Sequence, residues 1–258
     1  MARPDSWAKR ARQAGYRSRA AFKLRQLDDS FDLFADGQTV VDLGAAPGGW
    51  MQVAIERVGA GGAVIGVDRR RIEPLEADQS VRVELLHGDI TDEDTHQRIR
   101  ELADDGVGLV LSDMAPDMSG EYDLDHARSV HLAQQAFEVA QTLLKPGGDF
   151  VVKVFEGRDL DNFRSELEAS FEYVATARPK ATRQASSEVY LIGKGLLTAP
   201  VNIGDRYTVT IEAEGDEGDG IAKVEGFTVF VPDTHVGETL EIAITDVKAR
   251  FGFARRST

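Results

Sequence analysis

The sequence contains no cysteine, which excludes disulfide bonds and thiolate metal sites. It also lacks any apolar run near the length of about 20 residues that a membrane span needs. The first residues carry charge without the apolar core of a secretory signal. We therefore expect a cytoplasmic protein that uses neither a membrane nor a metal ion.

Lysine is scarce: 8 of the 30 basic residues are Lys and 22 are Arg, in a chain with a net charge of −14. An acidic, lysine-poor composition is typical of proteins from salt-loving organisms, where salt screens self-repulsion. An acidic protein from an ordinary organism is the alternative. We favour the halophile.

The basic residues are concentrated at the start of the chain. Residues 1–25 have a net charge of +7, and the remainder carries −21. A basic arm on an acidic body suggests a polyanionic partner such as RNA. If the arm stood alone, an ordinary solvated helix face would be the favoured explanation. The eight basic residues of the arm are Arg3, Lys9, Arg10, Arg12, Arg17, Arg19, Lys23 and Arg25, and its one acidic residue is Asp5.

The chain has two regions with different sequence patterns. Up to about Gly193, β-branched runs alternate with amphipathic segments, the clearest of which is a helix from about Leu124 to Leu144. This alternation predicts an α/β domain with a doubly wound, mostly parallel sheet, whose ligands bind at the carboxyl ends of the strands. The strands are predicted at residues 39–43, 63–68, 81–87, 107–113, 150–155 and 187–193.

After Gly195 the chain shows short strands separated by glycines, with no helical period. This pattern predicts a small all-β barrel. We place the boundary at Ala199–Pro200, with one domain at 1–198 and the other at 199–258.

The segment from Asp42 to Trp50 follows the first strand and opens a helix. A phosphate-binding loop would need a glycine where Ala46 stands and an amide N–H where Pro47 stands. Asp42 would also repel a phosphate. S-adenosylmethionine carries a sulfonium and an ammonium, so it fits the loop better.

Further carboxylates stand at the ends of the next strands. Asp68 lies where doubly wound folds bind ribose hydroxyls, and Asp89 is placed to accept from an adenine amino group. Each alone is best explained as a turn or helix cap. With Asp42 they make three carboxylates in succession at ligand-facing strand ends, which indicates a ligand site. Asp113 ends the fourth strand.

Lys153 lies inside the apolar run FVVKVF, and Glu188 precedes the strand EVYLIG. Burying an ammonium is costly unless it is paired or neutral, so Lys153 is a candidate functional residue. A lysine that extends from an edge strand to solvent is the alternative.

Together, SRAAFKL with its Lys23, DLGAAPGGW, SDMAP, KVF and SSEVYLIG resemble the FtsJ/RlmE family of ribosomal-RNA 2′-O-ribose methyltransferases, from about Trp7 to Gly195. The resemblance implies the class I methyltransferase fold and S-adenosylmethionine as cofactor. It implies a catalytic set of Lys23, Asp113, Lys153 and Glu188. It also implies cofactor contacts at Gly48, Trp50, Asp68, Asp89 and Asp113.

Methylating a ribose hydroxyl requires its proton to leave. Lys153 would act as general base or as a charge that stabilises the developing alkoxide. A neighbouring Lys23 would favour the neutral amine, whereas Asp113 and Glu188 would favour the ammonium. The sequence leaves this balance open.

The tail resembles a TRAM domain, through GDGIAKVEGFTVFVP, the Gly237–Glu238 turn and FGFA. Its phenylalanines either stack on RNA bases or fill the barrel. The net charge of −5 over residues 199–258 argues against a purely electrostatic role. The phenylalanines in question are Phe227, Phe230, Phe251 and Phe253.

The resemblance implies 2′-O-methylation of a uridine in large-subunit (23S) ribosomal RNA, free or in a ribosomal particle. Methylation of a tRNA anticodon loop is one alternative. A non-catalytic RNA-binding ribosome assembly factor is another, although the intact catalytic set argues against it. We expect a monomer.

Overall fold

The computed structural model describes residues 6–103, 106–183, 185–215 and 218–257. Arg3 and Asp5 of the predicted basic arm lie outside these residues. None of the helices in the described ranges is long and apolar enough to cross a membrane. The helices are α1 (Ser6–Gln13), α2 (Ala21–Phe31), α3 (Gly49–Val58), α4 (Glu93–Leu102), α5 (Tyr122–Leu143) and α6 (Leu160–Ser170).

A seven-stranded sheet forms the centre of the larger unit, in the order β3-β2-β1-β4-β5-β7-β6. The first five strands in this order run parallel, and β7 pairs antiparallel with β5. The strands are β1 (Thr39–Leu43), β2 (Ala63–Asp68), β3 (Arg82–His87), β4 (Val107–Ser112), β5 (Leu144–Phe155), β6 (Phe171–Ala177) and β7 (Glu188–Leu196).

Helices cover both faces of this sheet. Every residue of β2 and β4 is buried, as expected for parallel strands between two helical layers. On β5, Val151 packs in a core with residues of α2 and α3. Its neighbour Phe150 contacts Phe137 of α5, with ring centroids 5.8 Å apart. The predicted doubly wound, mostly parallel α/β fold is confirmed.

Two details of the sheet differ from the sequence analysis. The edge strand β6 was not predicted, because only Phe171, Val174 and Ala175 of its seven residues are buried and no apolar run marks it. Residues 145–148, just after the predicted helix end at about Leu144, already belong to β5, whose pairing with β4 is irregular between Val107 and Leu109.

The described part of the basic arm folds onto the sheet domain as α1, α2 and the turn between them. Ala11 and Tyr16 are buried in its core. The Arg17 guanidinium donates to the backbone oxygens of Pro47, Glu73 and Pro74, and Arg25 donates to the Tyr16 hydroxyl. Part of the positive charge that suggested RNA binding therefore stabilises the fold itself.

The smaller unit is a six-stranded sheet in the order β8-β12-β13-β11-β10-β9. The sheet curls round until the chain after β8 joins its two edges: Ile211 exchanges backbone hydrogen bonds with Gly237 and Glu238, and Glu212 donates to Ile221. The predicted all-β barrel is confirmed. Its strands are β8 (Arg206–Thr210), β9 (Ala213–Glu214), β10 (Gly220–Val224), β11 (Phe227–Val231), β12 (Thr239–Val247) and β13 (Phe251–Arg256).

The barrel phenylalanines divide between two environments. Phe227 packs in the barrel core. Phe230, Phe251 and Phe253 lie on the outer face of β11 and β13, with ring centroids 5.6–5.8 Å apart. Phe253 is 36% exposed. Filling of the barrel therefore holds for Phe227, and base stacking stays a prediction for the three outer phenylalanines.

The chain divides into two compact units, one of residues 1–168 and 172–196 and one of residues 169–171 and 197–258. Each has its own hydrophobic core, with members between Ala11 and Ile192 in the larger unit and between Val201 and Ala254 in the smaller.

A shortened chain ending at Ala199 should fold, because the core between Ala11 and Ile192 is retained in full. We expect a cooperative thermal transition, followed by circular dichroism in molar KCl beside the full chain. A shortened chain without a cooperative transition would show that the larger unit depends on the barrel.

Candidate active site

A cavity of about 630 Å³ opens at the carboxyl edge of the parallel strands, where doubly wound sheets bind ligands. We call it the first cavity. Its wall contains five residues singled out from the sequence. These are Asp42, Trp50, Asp68, Asp89 and Asp113.

The loop after β1 lies close to Met114 and to the end of β2. Gly44 has φ +77°, and a Cβ there would lie 2.3 Å from Met114 Cγ, so only glycine fits. The backbone N–H groups of Gly44 and Ala45 donate to the Val67 oxygen, which ties the loop to β2. The loop is thereby fixed as one wall of the first cavity.

Asp68 and Asp89 line the first cavity and also accept hydrogen bonds from nearby backbone N–H groups. The Asp68 carboxylate accepts from Ala46 N at 2.9 Å and Arg70 N at 2.7 Å. Asp89 accepts from Thr91 N at 3.0 Å and Thr91 Oγ1 at 2.9 Å, and these bonds lower the pKa of Asp89. The turn-forming roles considered for them coexist with a place in the cavity wall.

Gly48 and Trp50 lie at the start of α3. Pro47 and Gly49 contribute to the cavity wall on either side of Gly48, which caps α3 with φ +103° beside the Arg17 guanidinium. Trp50 is 3% exposed, and its Nε1 donates to the Ala20 oxygen at 2.8 Å. Trp50 therefore also anchors the segment that leads into α2.

Asp42 is 1% exposed at the first cavity. Among the described residues its Oδ2 has no hydrogen-bond partner. Burial, together with the charges of Asp113 and Asp68, raises the pKa of Asp42 well above its ordinary value. A cationic ligand would satisfy this carboxyl, so the site fits the positively charged group inferred from the sequence.

A second cavity, of about 530 Å³, contains Lys23, Lys153 and Glu188 in its wall. Asp113 lines the first cavity, and Ala115 lines both. The four residues of the predicted catalytic set therefore stand at the boundary between two cavities.

Strand register explains how three polar side chains meet there. Ser112 of β4 pairs with Val152 of β5, so the residues that follow them, Asp113 and Lys153, lie side by side. Lys153 in turn pairs with Tyr190 of β7. One row across three neighbouring strands thus carries a carboxylate, an ammonium and a phenol.

These groups are joined directly. Lys153 Nζ lies 3.0 Å from Asp113 Oδ1 and also donates to the Asp113 backbone oxygen. The Tyr190 hydroxyl donates to Asp113 Oδ1 at 2.7 Å. Lys23 Nζ lies 2.5 Å from Glu188 Oε1 and 5.7 Å from the centre of the Tyr190 ring. Two ion pairs and one tyrosine form a single cluster.

The cluster keeps Asp113 ionised. Burial alone would raise the pKa of Asp113, but the charges of Lys153 and Lys23 and the hydrogen bonds from Tyr190 and Lys153 lower it below its ordinary value. Burial, the charges of Asp113 and Glu188, and the bond to Asp113 raise the pKa of Tyr190 well above its ordinary value. The phenol therefore stays protonated and donates.

Tyr190 was missed by the sequence analysis. Its signal was a hydroxyl in the apolar strand EVYLIG, the same kind of anomaly that singled out Lys153. Tyrosine is common in strands, so this signal is weak without the register.

Two families match the chain by sequence. The family described as FtsJ-like methyltransferase matches residues 16–196. The family described as TRAM domain matches residues 200–256.

Similar proteins extend over the whole chain. A protein named ribosomal RNA large subunit methyltransferase E from Halorubrum lacusprofundi is 57% identical over 99% of this chain and 94% of its own length. A protein of the same name from Halobacterium salinarum is 54% identical over 98% of this chain and 97% of its own. Both sources are haloarchaea, in agreement with the predicted halophile.

A solved structure resembles the larger part of the chain. It is a crystal structure of a protein described as a ribosomal RNA methyltransferase from Plasmodium falciparum. It has a TM-score of 0.62 and 27% identity, and the match covers 71% of this chain and 100% of that one.

Asp42→Asn should stabilise the protein in the absence of ligands at neutral pH. The pKa of Asp42 is higher in the folded chain than in the unfolded chain, where it is about 4. Below about pH 4 the carboxyl is protonated in both states and the folded chain keeps its full stability. As pH rises from there towards the folded pKa, deprotonation favours the unfolded chain and stability is lost. We expect the gain in unfolding free energy to be large at neutral pH and to shrink towards pH 4, measured by urea denaturation.

Asp36→Asn, at an exposed position, is the matched control. A variant Asp42→Asn that is less stable than the wild type at neutral pH would show that the Asp42 carboxylate has a stabilising partner in the fold.

Proposed function

Because the chain belongs to the FtsJ-like methyltransferase family and carries a TRAM domain, we propose that it methylates the ribose 2′-hydroxyl of a uridine in large-subunit (23S) ribosomal RNA, with S-adenosylmethionine as methyl donor. The observation that carries the proposal is the Asp113–Lys153 pair at the boundary of two cavities. One cavity suits a cationic donor and the other a polyanionic acceptor. The names of the relatives support the choice of RNA.

The first cavity would hold S-adenosylmethionine. Asp42 offers a buried carboxyl to its positive charges, and Asp68 and Asp89 stand at the strand ends in the same wall. When bound, S-adenosylmethionine supplies a methyl group activated by the sulfonium that carries it. The chain itself has to orient the acceptor hydroxyl and handle its proton.

Lys153 is the residue that meets the acceptor. Its Nζ already engages two acceptors on Asp113, the side-chain and the backbone oxygen. An ammonium has three N–H donors, so one remains for the 2′-oxygen, and a neutral amine would present its lone pair in that position. The contacts with Asp113 therefore direct the third position on Lys153 Nζ, an N–H of the ammonium or the lone pair of the amine, towards the substrate. Glu188 and Lys23, paired with each other, line the same cavity.

The reaction is tested by incubating the protein in molar KCl with methyl-labelled S-adenosylmethionine and either large-subunit ribosomal RNA or tRNA. We expect label in the ribosomal RNA, at a position that resists alkaline cleavage because the 2′-oxygen is blocked. Label in tRNA alone would support the anticodon-loop alternative. No transfer to either RNA or to ribosomal particles would support a non-catalytic assembly factor.

Lys153→Ala should lower kcat by about a hundredfold or more, the usual contribution of a group that handles a proton in the transition state. Calorimetry should find the affinity for S-adenosylmethionine unchanged, because Lys153 lies in the wall of the second cavity. Lys194→Ala is the matched control, since Lys194 on β7 pairs with Asp149 and should leave turnover intact. Near-normal turnover of Lys153→Ala would remove Lys153 from the mechanism.

Lys153→Arg separates the two chemical roles. A guanidinium keeps the positive charge but does not accept a proton at working pH. An Arg variant well above the Ala variant in kcat would assign charge stabilisation to Lys153, and equal loss in both would assign the general base.

We propose that the barrel contributes RNA affinity through stacking. Cross-strand neighbours place Lys223, Thr228 and Phe251 in one row of its outer face, and Ile221, Phe230 and Phe253 in the next. The row residues of β10, β11 and β13 alternate with buried ones that fill the core. Three neighbouring rings on an outer face are a suitable platform for unpaired bases.

Phe253→Ala should weaken binding of single-stranded RNA by about 1–3 kcal/mol, the usual effect of removing a stacking side chain. The salt dependence of binding should stay the same, because no charge is lost. Fluorescence anisotropy at several KCl concentrations measures both. Val236→Ala, at another exposed apolar position of the barrel, is the control. Unchanged affinity of Phe253→Ala would exclude a stacking role for Phe253.

A further inference from the structure

Met118 lies in the wall of the second cavity, yet 63% of it is exposed. It belongs to the loop between β4 and α5, which begins with Asp113. A scattered exposed methionine needs no explanation. This one stands in the same wall as Lys153, so its position bears on the substrate.

The backbone after Met118 is held by a buried carboxylate. Asp125, only 4% exposed, accepts from Ser119 N at 2.7 Å, from Ser119 Oγ at 2.8 Å and from Gly120 N at 3.0 Å. Three hydrogen bonds to one carboxylate fix the turn that follows Met118. The thioether is therefore presented on an anchored loop.

The second cavity is lined by both cationic and apolar side chains, with the carboxylate of Glu188 paired to Lys23. Arg19, Lys23 and Arg183 contribute cationic groups, and Ala115, Met118 and Phe155 contribute apolar ones. A nucleotide has the same division between an anionic phosphate and a flat, largely apolar base. The cavity is thus complementary to one nucleotide.

Lys153 lines this cavity with only 8% of its side chain exposed, so a substrate that reaches it there has to enter the cavity. In a duplex the 2′-hydroxyls lie along a wide, shallow minor groove whose surface does not enter a pocket. An acceptor nucleotide that has left the stack can enter it, as nucleotides do in other enzymes that modify them.

We propose that the second cavity takes one unstacked nucleotide, with its base packed against Met118 and its phosphate on Arg19 and Arg183. The proposal rests on the proposed function, which places the ribose at Lys153. It adds that Met118 is a base-contacting residue and that the enzyme acts on nucleotides outside a duplex. Sulfur and methyl groups pack favourably on aromatic rings.

The NMR signals of the methionine methyl groups report directly whether the second cavity is occupied. The chain has four methionines: Met51 is buried in the core, Met114 lines the first cavity, Met118 lines the second, and Met1 begins the chain. With ¹³C-methyl methionine in the full-length protein, a short oligouridylate should shift the Met118 resonance and leave Met51 unchanged. Met118→Leu assigns the signal.

A duplex of the oligouridylate with oligoadenylate is the matched control and should leave the Met118 resonance in place. A Met118 signal unmoved by the single strand would overturn the proposal, as would equal shifts with strand and duplex. Because this readout needs no catalysis, a protein that fails to methylate ribosomal RNA but shows the strand-specific shift would retain the nucleotide site and lose the proposed function.

Kinetics provide a second test. Met118→Ala should raise the KM for large-subunit ribosomal RNA by about two- to tenfold, the range of a lost sulfur–aromatic contact. Affinity for S-adenosylmethionine and the melting temperature should stay unchanged, because the side chain is exposed and lies outside the first cavity wall. Met118→Leu should have a KM close to that of the wild type, because its methyl groups can still pack on the base. An Ala variant with unchanged KM would exclude the base contact even if methylation proceeds.

Discussion

A buried ammonium that has to be paired is the constraint around which the site is arranged. Lys153 extends from a strand whose neighbouring residues Val152 and Val154 are buried, and removing an ammonium from water costs several kcal/mol. The register of β4 and β5 sets Asp113 beside it, and the antiparallel β7 brings Tyr190 to the same place. Each partner thus serves the lysine through a strand position, so the site is as rigid as the sheet.

The carboxylates at the sheet edge differ because their partners differ. Asp68 is satisfied by backbone N–H groups, and Asp113 by Lys153 and Tyr190. Asp42 lies at the same edge, and burial beside two other carboxyls raises its pKa. Of these three carboxylates, Asp42 is the one whose Oδ2 has no hydrogen-bond partner among the described residues, so it is the one that a positive charge from outside the chain would satisfy. The fold therefore bears a destabilisation that a cationic ligand would relieve, and this links ligand recognition to stability.

Sequence reasoning recovered what depends on local pattern. The β-branched runs located six of the seven sheet strands, and the lysine in an apolar strand located the centre of the site. It missed β6, whose polar residues give an edge strand no apolar signature, and it missed Tyr190, whose partner lies 77 residues away. The internal hydrogen bonds of Arg17 could not be foreseen either, because their acceptors follow two other strands.

The distribution of charge then determines how RNA can be held. Arg17 and Arg19 of the basic arm donate to the protein's own backbone, and the barrel is acidic, so long-range attraction contributes little. In molar salt, charges are screened beyond about 3 Å, so only direct contacts with phosphates survive. Stacking and apolar packing are not screened. Under the proposals above, the aromatic rows of the barrel and the apolar side chain of Met118 would supply contacts of this kind, whereas Arg19 and Arg183 line a cavity that a phosphate could enter. An acidic protein can therefore bind a polyanion at high salt, provided that its few cations act at close range.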